Sequence, residues 1–216
     1  MTLLVTPTLL NAVEFAKNAP PSWRQSALSD LTAKLRREKS TFPDWVKKGS
    51  VFEDAVYNHL MGTVTFKGSV DVTDPAFLHV CEACKGGTFQ DVRKRTIPIP
   101  GYHDEVLFYC KLDVLKPEKI IDIKTTLNYK GPSKYLSGYQ HQMYCLCAER
   151  SAFEYIVVEW EGEKGYDIRN IHTVPYTAPD PGVIVDELKS AIIDALEFIE
   201  RKNLFDDYYF TFSKNK

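Results

Sequence analysis

Asp113 and the segment Ile120-Ile121-Asp122-Ile123-Lys124-Thr125-Thr126 hold the side chains best suited to chemistry in this sequence. In an extended strand successive side chains face opposite ways, so Asp122 and Lys124 share one face while Ile121 and Ile123 turn to the core. Upstream, Val106, Phe108, Cys110, Leu112 and Val114 form one wholly apolar face. Leu107, Tyr109, Lys111 and Asp113 alternate with them on the other. The spacing predicts a hairpin over 106–125, turned at Pro117, with a second strand over 119–125. Two carboxylates and one ammonium then converge on adjacent strands. Carboxylate oxygens suit a hard divalent cation, and Mg²⁺ takes one or two of them together with waters and phosphate oxygens. A lysine beside such an ion can orient an attacking water or help deprotonate it. The pattern points to metal-assisted hydrolysis of a phosphodiester. Taken without context, the same three residues also fit a salt-bridge ladder between strands.

The elements that must position them follow from periodicity. Thr6-Pro7 reads as an N-cap with proline at the first helical position. Leu9, Leu10, Val13, Phe15 and Ala16 then mark a helix that stops before Pro20-Pro21. A second helix is predicted over 23–38, with Leu28, Leu31 and Leu35 on one face. Thr41-Phe42-Pro43-Asp44 starts a third, running to about Leu60 with Phe52 and Val56 at core spacing. Further on, 135–150 reads as a helix. Strands over 153–160 and 167–174 are joined at 162–165, and a periodic amphipathic helix covers 181–202. The expected class is α/β: a mixed central sheet flanked by helices, with helices at the N-terminus.

With these elements placed, Asp113 followed by Asp122-Ile123-Lys124 resembles the PD-(D/E)XK nuclease superfamily, in the branch holding lambda-type exonuclease, RecE and RecB-like nuclease domains. Lys48-Gly49-Ser50-Val51-Phe52-Glu53 resembles that branch's Gly-x-x-x-(Glu/His) helix motif. Tyr139-Gln140-His141-Gln142-Met143-Tyr144 resembles its Tyr/Gln helix motif, and Thr6-Pro7-Thr8-Leu9-Leu10 with Pro20 resembles its N-terminal helix start. Each motif alone is weak; four in order are stronger. The resemblance implies a restriction-endonuclease-like core over 43–216, preceded by N-terminal helices over 1–42, in one domain of 216 residues. It also implies roles. Asp113, Asp122, the Ile123 carbonyl and Glu53 would hold Mg²⁺ or Mn²⁺. Lys124 would place the nucleophilic water, and Gln142 would hold substrate phosphate or Lys124. Two registers of the last motif are open, Tyr139-x-x-Gln142 and Gln140-x-x-x-Tyr144; the first is preferred because it spans one helical turn. Tyr139, Thr125, Lys130 and Lys134 would touch substrate. The implied activity is that of a deoxyribonuclease, most simply an exonuclease of phage recombination or repair acting on a double-stranded end or a single strand. A single-strand annealing protein and a homo-oligomeric ring are among the partners such relatives take. Alternatives are an endonuclease of the same superfamily, of restriction or CRISPR-adaptation type, and a non-catalytic nucleic-acid-binding module.

Composition sets the outer bounds. Lys plus Arg is 27 and Asp plus Glu 29, a net charge of −2 that excludes a strongly basic coat protein but not a local basic channel. Lys111, Lys116, Lys119, Lys124, Lys130 and Lys134 lie among only Asp113, Glu118 and Asp122. Lys85, Arg93, Lys94 and Arg95 form a second basic run, and 154–187 is acidic. A basic edge beside an acidic far side would steer a phosphate backbone. Five cysteines, an odd count, argue for a reducing compartment, the cytosol of a bacterium or phage-infected cell. No membrane span or signal peptide is expected. Cys81-Glu82-Ala83-Cys84 resembles half a zinc knuckle, but no second Cys-x-x-Cys exists, so free thiols on a turn are expected rather than structural zinc. Some RecB-like nucleases carry an iron–sulfur cluster on a cysteine near the N-terminal proline and others after the Gln/Tyr helix; here Ala19 precedes Pro20 and no cysteine follows Cys147, so the resemblance implies none. Trp23, Trp45 and Trp160 read as core or interface residues, and His59, His103 and His141 as structural or exposed.

Overall fold

The structure is a computed structural model and describes residues 2–38, 44–63, 70–99 and 105–208. Three helices begin with the same device, a side-chain cap followed by proline at the first helical position. Thr6 Oγ1 accepts from Leu9 N (3.1 Å) at the start of α1 (Pro7–Asn18). Asp74 accepts from Ala76 N (2.7 Å) at the start of α4 (Pro75–Cys84). Asp180 accepts from Gly182 N (2.7 Å) at the start of α7 (Pro181–Arg201). The remaining helices are α2 (Arg24–Leu35), α3 (Asp44–Leu60), α5 (Ser133–Leu136) and α6 (Gln140–Ala148). The helix start expected at Thr41-Phe42-Pro43 lies outside the described residues, as does His103.

Six strands form one mixed sheet: β1 (Thr2–Val5), β2 (Thr88–Pro98), β3 (Glu105–Leu115), β4 (Ile120–Thr126), β5 (Ala152–Trp160) and β6 (Ile168–Thr177). The order is β1-β3-β4-β5-β6, with β2 also paired to β3. β1 runs parallel to β3, β4 runs parallel to β5, and the other pairs are antiparallel. Each face of the sheet carries its own core. On one face α1, α2, α6 and α7 pack through Val13, Leu31, Met143 and Leu188 against Phe108, Leu112 and Ile120. On the other, α3 and α4 pack through Phe52, Val56 and Phe77 against Ile121, Ile123 and Trp160. β4 is therefore sealed on both sides, and Ile120, Ile121, Asp122 and Ile123 are all buried.

The fold bears out the α/β expectation of a mixed sheet flanked by helices. Several details differ. The hairpin exists, but β3 and β4 pair only at Val114↔Ile121 and Leu115↔Ile120 and then separate. The apolar face of β3 does not run to Val114: that residue belongs to the α3/α4 core, while Leu112 and Leu115 belong to the other. The alternation thus changes phase across Asp113, where Gln90 and Asp113 drop out of the β2–β3 ladder. The helix expected over 135–150 is two, because 137–139 leave helical pairing between α5 and α6. Cys81 and Cys84 sit in α4 rather than on a turn, buried in the core, with burial pushing the thiols up to about 11 and about 12. Trp160 is core, whereas Trp23 is 62 % exposed and not a core residue. No described helix is long and apolar enough to cross a membrane.

Candidate active site

The separation of β3 from β4 makes the site. Past Val114↔Ile121 the backbone groups facing the gap lose their ladder partners, and side chains replace them. Asp113 Oδ2 accepts from Ile123 N at 2.9 Å. A strand residue directs its N–H and C=O to the same edge, so the Ile123 carbonyl also faces the gap. On the other strand, Tyr144 OH donates to the Lys111 carbonyl at 2.8 Å. Asp122 is fully buried on the α6 side; Gln140 Nε2 donates to its Oδ1 at 2.5 Å, and Lys124 Nζ lies 2.5 Å from its Oδ2. Glu53 reaches the group from α3. Helix α3 can come this close to β4 because residue 49 is glycine: a Cβ there would stand 3.1 Å from Thr125 Oγ1.

The electrostatics are those of a cluster short of positive charge. Burial pushes the Asp113 carboxyl well above the usual range, and the Asp122 and Glu53 charges push it further, against Lys124 and the Ile123 amide. Burial also raises Asp122, opposed by Lys124. Glu53 is lifted to about 7, again chiefly by burial. Burial would lower Lys124, but Asp122, Asp113 and Glu53 outweigh it and hold the ammonium above its ordinary value.

The donors fit a hard cation. All are oxygens: Asp113, Asp122, Glu53 and the Ile123 carbonyl. Asp122 Oδ2 is buried and accepts no well-formed hydrogen bond. Among the described residues no three Asp, Glu, His or Cys side chains close up tightly enough to enclose an ion unaided. Two carboxylates and a carbonyl completed by water match Mg²⁺ or Mn²⁺ better than a caged ion such as structural zinc.

Two clefts open on this cluster from opposite faces of the sheet. One, of about 430 Å³, exposes Lys124 beside Tyr139, Gln140, Lys134 and the α1 side chains Asn11 and Phe15. The other, of about 540 Å³, exposes Glu53 and Asp113 beside Tyr57, Gln90 and Lys111.

This fold also occurs among solved structures. The crystal structure of a phage-related exonuclease from Haemophilus somnus 129PT superposes with a TM-score of 0.54 at 13% identity, over 92% of this chain and 94% of that one. The chain shares its fold with that exonuclease. An alkaline exonuclease (LHK-Exo) from Laribacter hongkongensis matches with a TM-score of 0.48 at 13% identity, over 92% of each chain. Its complex with dAMP matches at 0.45 and 15%, over the same shares. No family model matches the sequence, and no curated protein matches it either.

Within this fold Asp113, Asp122, Ile123, Lys124 and Glu53 lie together around the gap. Gln142 does not join them. It points away and donates to Glu187 on α7 at 2.7 Å, whereas Gln140 reaches Asp122. The other register, Gln140-x-x-x-Tyr144, is the one that faces the cluster: Gln140 meets Asp122 and Tyr144, one turn on, meets the Lys111 carbonyl. Tyr139 and Lys134 line the cleft beside Lys124. Thr125 does not share it; it lies under Gly49 on the α3 side. Lys130 is exposed on the loop after β4. The basic runs disperse as well. Lys116 donates to the Ala83 carbonyl, Lys119 pairs with Glu154, Lys85 with Glu82 and Arg93 with Asp91. Arg95 turns to the Leu146 carbonyl on α6, while Lys94 lies over Tyr109. His141 is a core histidine, pushed down to about 4 by burial among Phe153, Tyr155 and Tyr176.

Proposed function

We propose that this chain is a metal-dependent deoxyribonuclease that hydrolyses phosphodiester bonds in DNA, acting as an exonuclease of phage recombination or repair type. The observation that carries the reading is the convergence, in the gap between β3 and β4, of Asp113, Asp122 and Lys124 with the Ile123 amide and carbonyl. The fold shared with a phage-related exonuclease agrees with it, as analogy of fold rather than of site.

Asp113, Asp122 and the Ile123 carbonyl would hold Mg²⁺ or Mn²⁺, with Glu53 joining directly or through water. An ion bound there would supply Lewis-acid polarisation of the scissile phosphate and offset the charge that builds on it. The chain's own groups do the rest. Lys124, which its carboxylate neighbours hold above its ordinary value in the metal-free cluster, would donate as an ammonium to the attacking water and a phosphate oxygen. Gln140 fixes the Asp122 carboxylate from the side opposite Lys124. Tyr144 ties α6 to β3 and so keeps Gln140 at that distance. Water would form the new P–O bond while the bond to the leaving sugar oxygen breaks; the proton the water sheds passes to solvent, and the leaving oxygen takes one from solvent.

The test is degradation of linear DNA with Mg²⁺ and with chelator, by the wild type and by the Asp113→Ala and Lys124→Ala variants. Loss of cleavage in chelator and in both variants is expected. Retained cleavage in both variants overturns the site. Equal cutting of closed circular DNA overturns the exonuclease part of the reading.

A further inference from the structure

The cleft on the Glu53 side has features that the hydrolytic cluster does not use. Its volume of about 540 Å³ lies in the range of small-ligand sites. Tyr57 stands one turn beyond Glu53 on α3, on the same helix face. Its side chain is 41 % exposed, yet its ring is not loose. Phe89 on β2 holds it edge-on, with ring centroids 5.4 Å apart and planes at 65°. Next to Phe89, Gln90 takes a left-handed backbone conformation (φ 54°), which a strand residue other than glycine rarely adopts. Backbone strain of this kind collects where a site needs a side chain or an opening in a set place. Here it removes Gln90 from the ladder opposite Asp113 and leaves it lining the cleft. Finally, apart from Glu53 and Asp113, which belong to the cluster, the charged residues among those described that line this cleft are Asp54 and Lys111. A lining with one cation suits a base with a single phosphate better than a run of phosphates.

We propose that this cleft is a mononucleotide subsite, in which Tyr57, braced by Phe89, stacks on the nucleobase adjoining the scissile phosphate. The proposal rests on the nuclease reading and extends it: the Lys124 side, with Lys134, carries the phosphate backbone, and the Tyr57 side takes one base. Stacking of this type tolerates any base, because every base has a π-face. Gln90 lies where its amide can meet the base edge.

Oligonucleotides ending in 2-aminopurine test this, with fluorescence read in Ca²⁺ and hydrolysis in Mg²⁺. The wild type should quench the terminal 2-aminopurine. Tyr57→Phe, which keeps the ring face, should quench as well. Tyr57→Ala should lose the quench and raise KM by about tenfold, with the effect mainly in KM. Its thermal melt, compared with that of the wild type, reports whether it is folded. Unchanged quench and KM in Tyr57→Ala overturn the subsite, as does a Tyr57→Phe variant as impaired as the alanine. If the wild type cleaves no DNA, the nuclease reading falls separately. A Tyr57-dependent quench would then uphold the subsite, and its absence would overturn it.

Discussion

Glu53→Gln should make the metal-free protein more stable at alkaline pH, the reverse of what removing an ion-paired carboxylate does. Burial lifts the Glu53 carboxyl from the usual 4.5 to about 7, with Lys124 opposing the rise and Asp122 adding to it. A carboxyl whose pKa is higher in the folded than in the unfolded chain keeps its proton longer in the native state. Its stabilising contribution is therefore fully present below about pH 4.5 and is lost as pH rises through about 7. Linkage between these two values gives a loss of about 2.5 kcal/mol from this one group between about pH 5 and about pH 8. In a chain of this size that is about 5–10 °C in Tm. Asp113 and Asp122 are raised as well and titrate with the same sign. The assay is calorimetric melting of wild type and variant in chelator across that range. The difference in Tm, variant minus wild type, should grow with pH, and saturating Mg²⁺ should raise the wild type more than the variant. Parallel Tm curves, or a difference that shrinks with pH, would refute the reasoning.

Other substitutions probe the same architecture. Gln140→Ala should lower kcat about tenfold or more, the scale of a hydrogen bond to a charged group. Gln142→Ala, which removes contacts to Glu187 and Tyr176 away from the cluster, should stay within about twofold. Steady-state kinetics on linear DNA separate the two. Gly87→Ala would drive a Cβ into Val114 Cγ1 and towards the Cys84 carbonyl. It should cost about 1–3 kcal/mol in urea unfolding and weaken metal binding through the neighbouring Asp113. Phe52→Ala should cost about 3–5 kcal/mol by the same measurement, because the ring is fully buried between Phe77 and Trp160.

What the sequence discloses here follows the strength of its periodicity. Helices α1, α3 and α7 combine capping residues or proline with apolar spacing, so their residues alone mark them out. The Asp-x-Lys strand is legible because period two puts both charges on one face. β2 is not: an edge strand carrying Asp91, Arg93, Lys94 and Arg95 has no apolar face to reveal it. β1 is too short, and its Leu3 and Val5 merge with the helix that follows. Helix α4 is hidden because its cysteines suggest metal chemistry more loudly than Phe77 and Val80 suggest a core. Within the site, the choice between Gln140 and Gln142 depends on which face of α6 meets Asp122, and the residues of α6 alone do not reveal that face. Tyr57 and Gln90 carry no signal in one sequence, since their roles arise from a ladder that opens only in three dimensions.

The gap between β3 and β4 also has a mechanical meaning. Among the described residues, two pairs, Val114↔Ile121 and Leu115↔Ile120, make up the backbone ladder that joins β1, β2 and β3 to β4, β5 and β6, and the Ile123–Asp113 bond continues it through a side chain. The sheet is two half-sheets meeting at a short seam, and the acidic cluster lies across the unstitched part of it. Anything gripped there acts as a rivet between the halves, adding to the two cores that already span the seam.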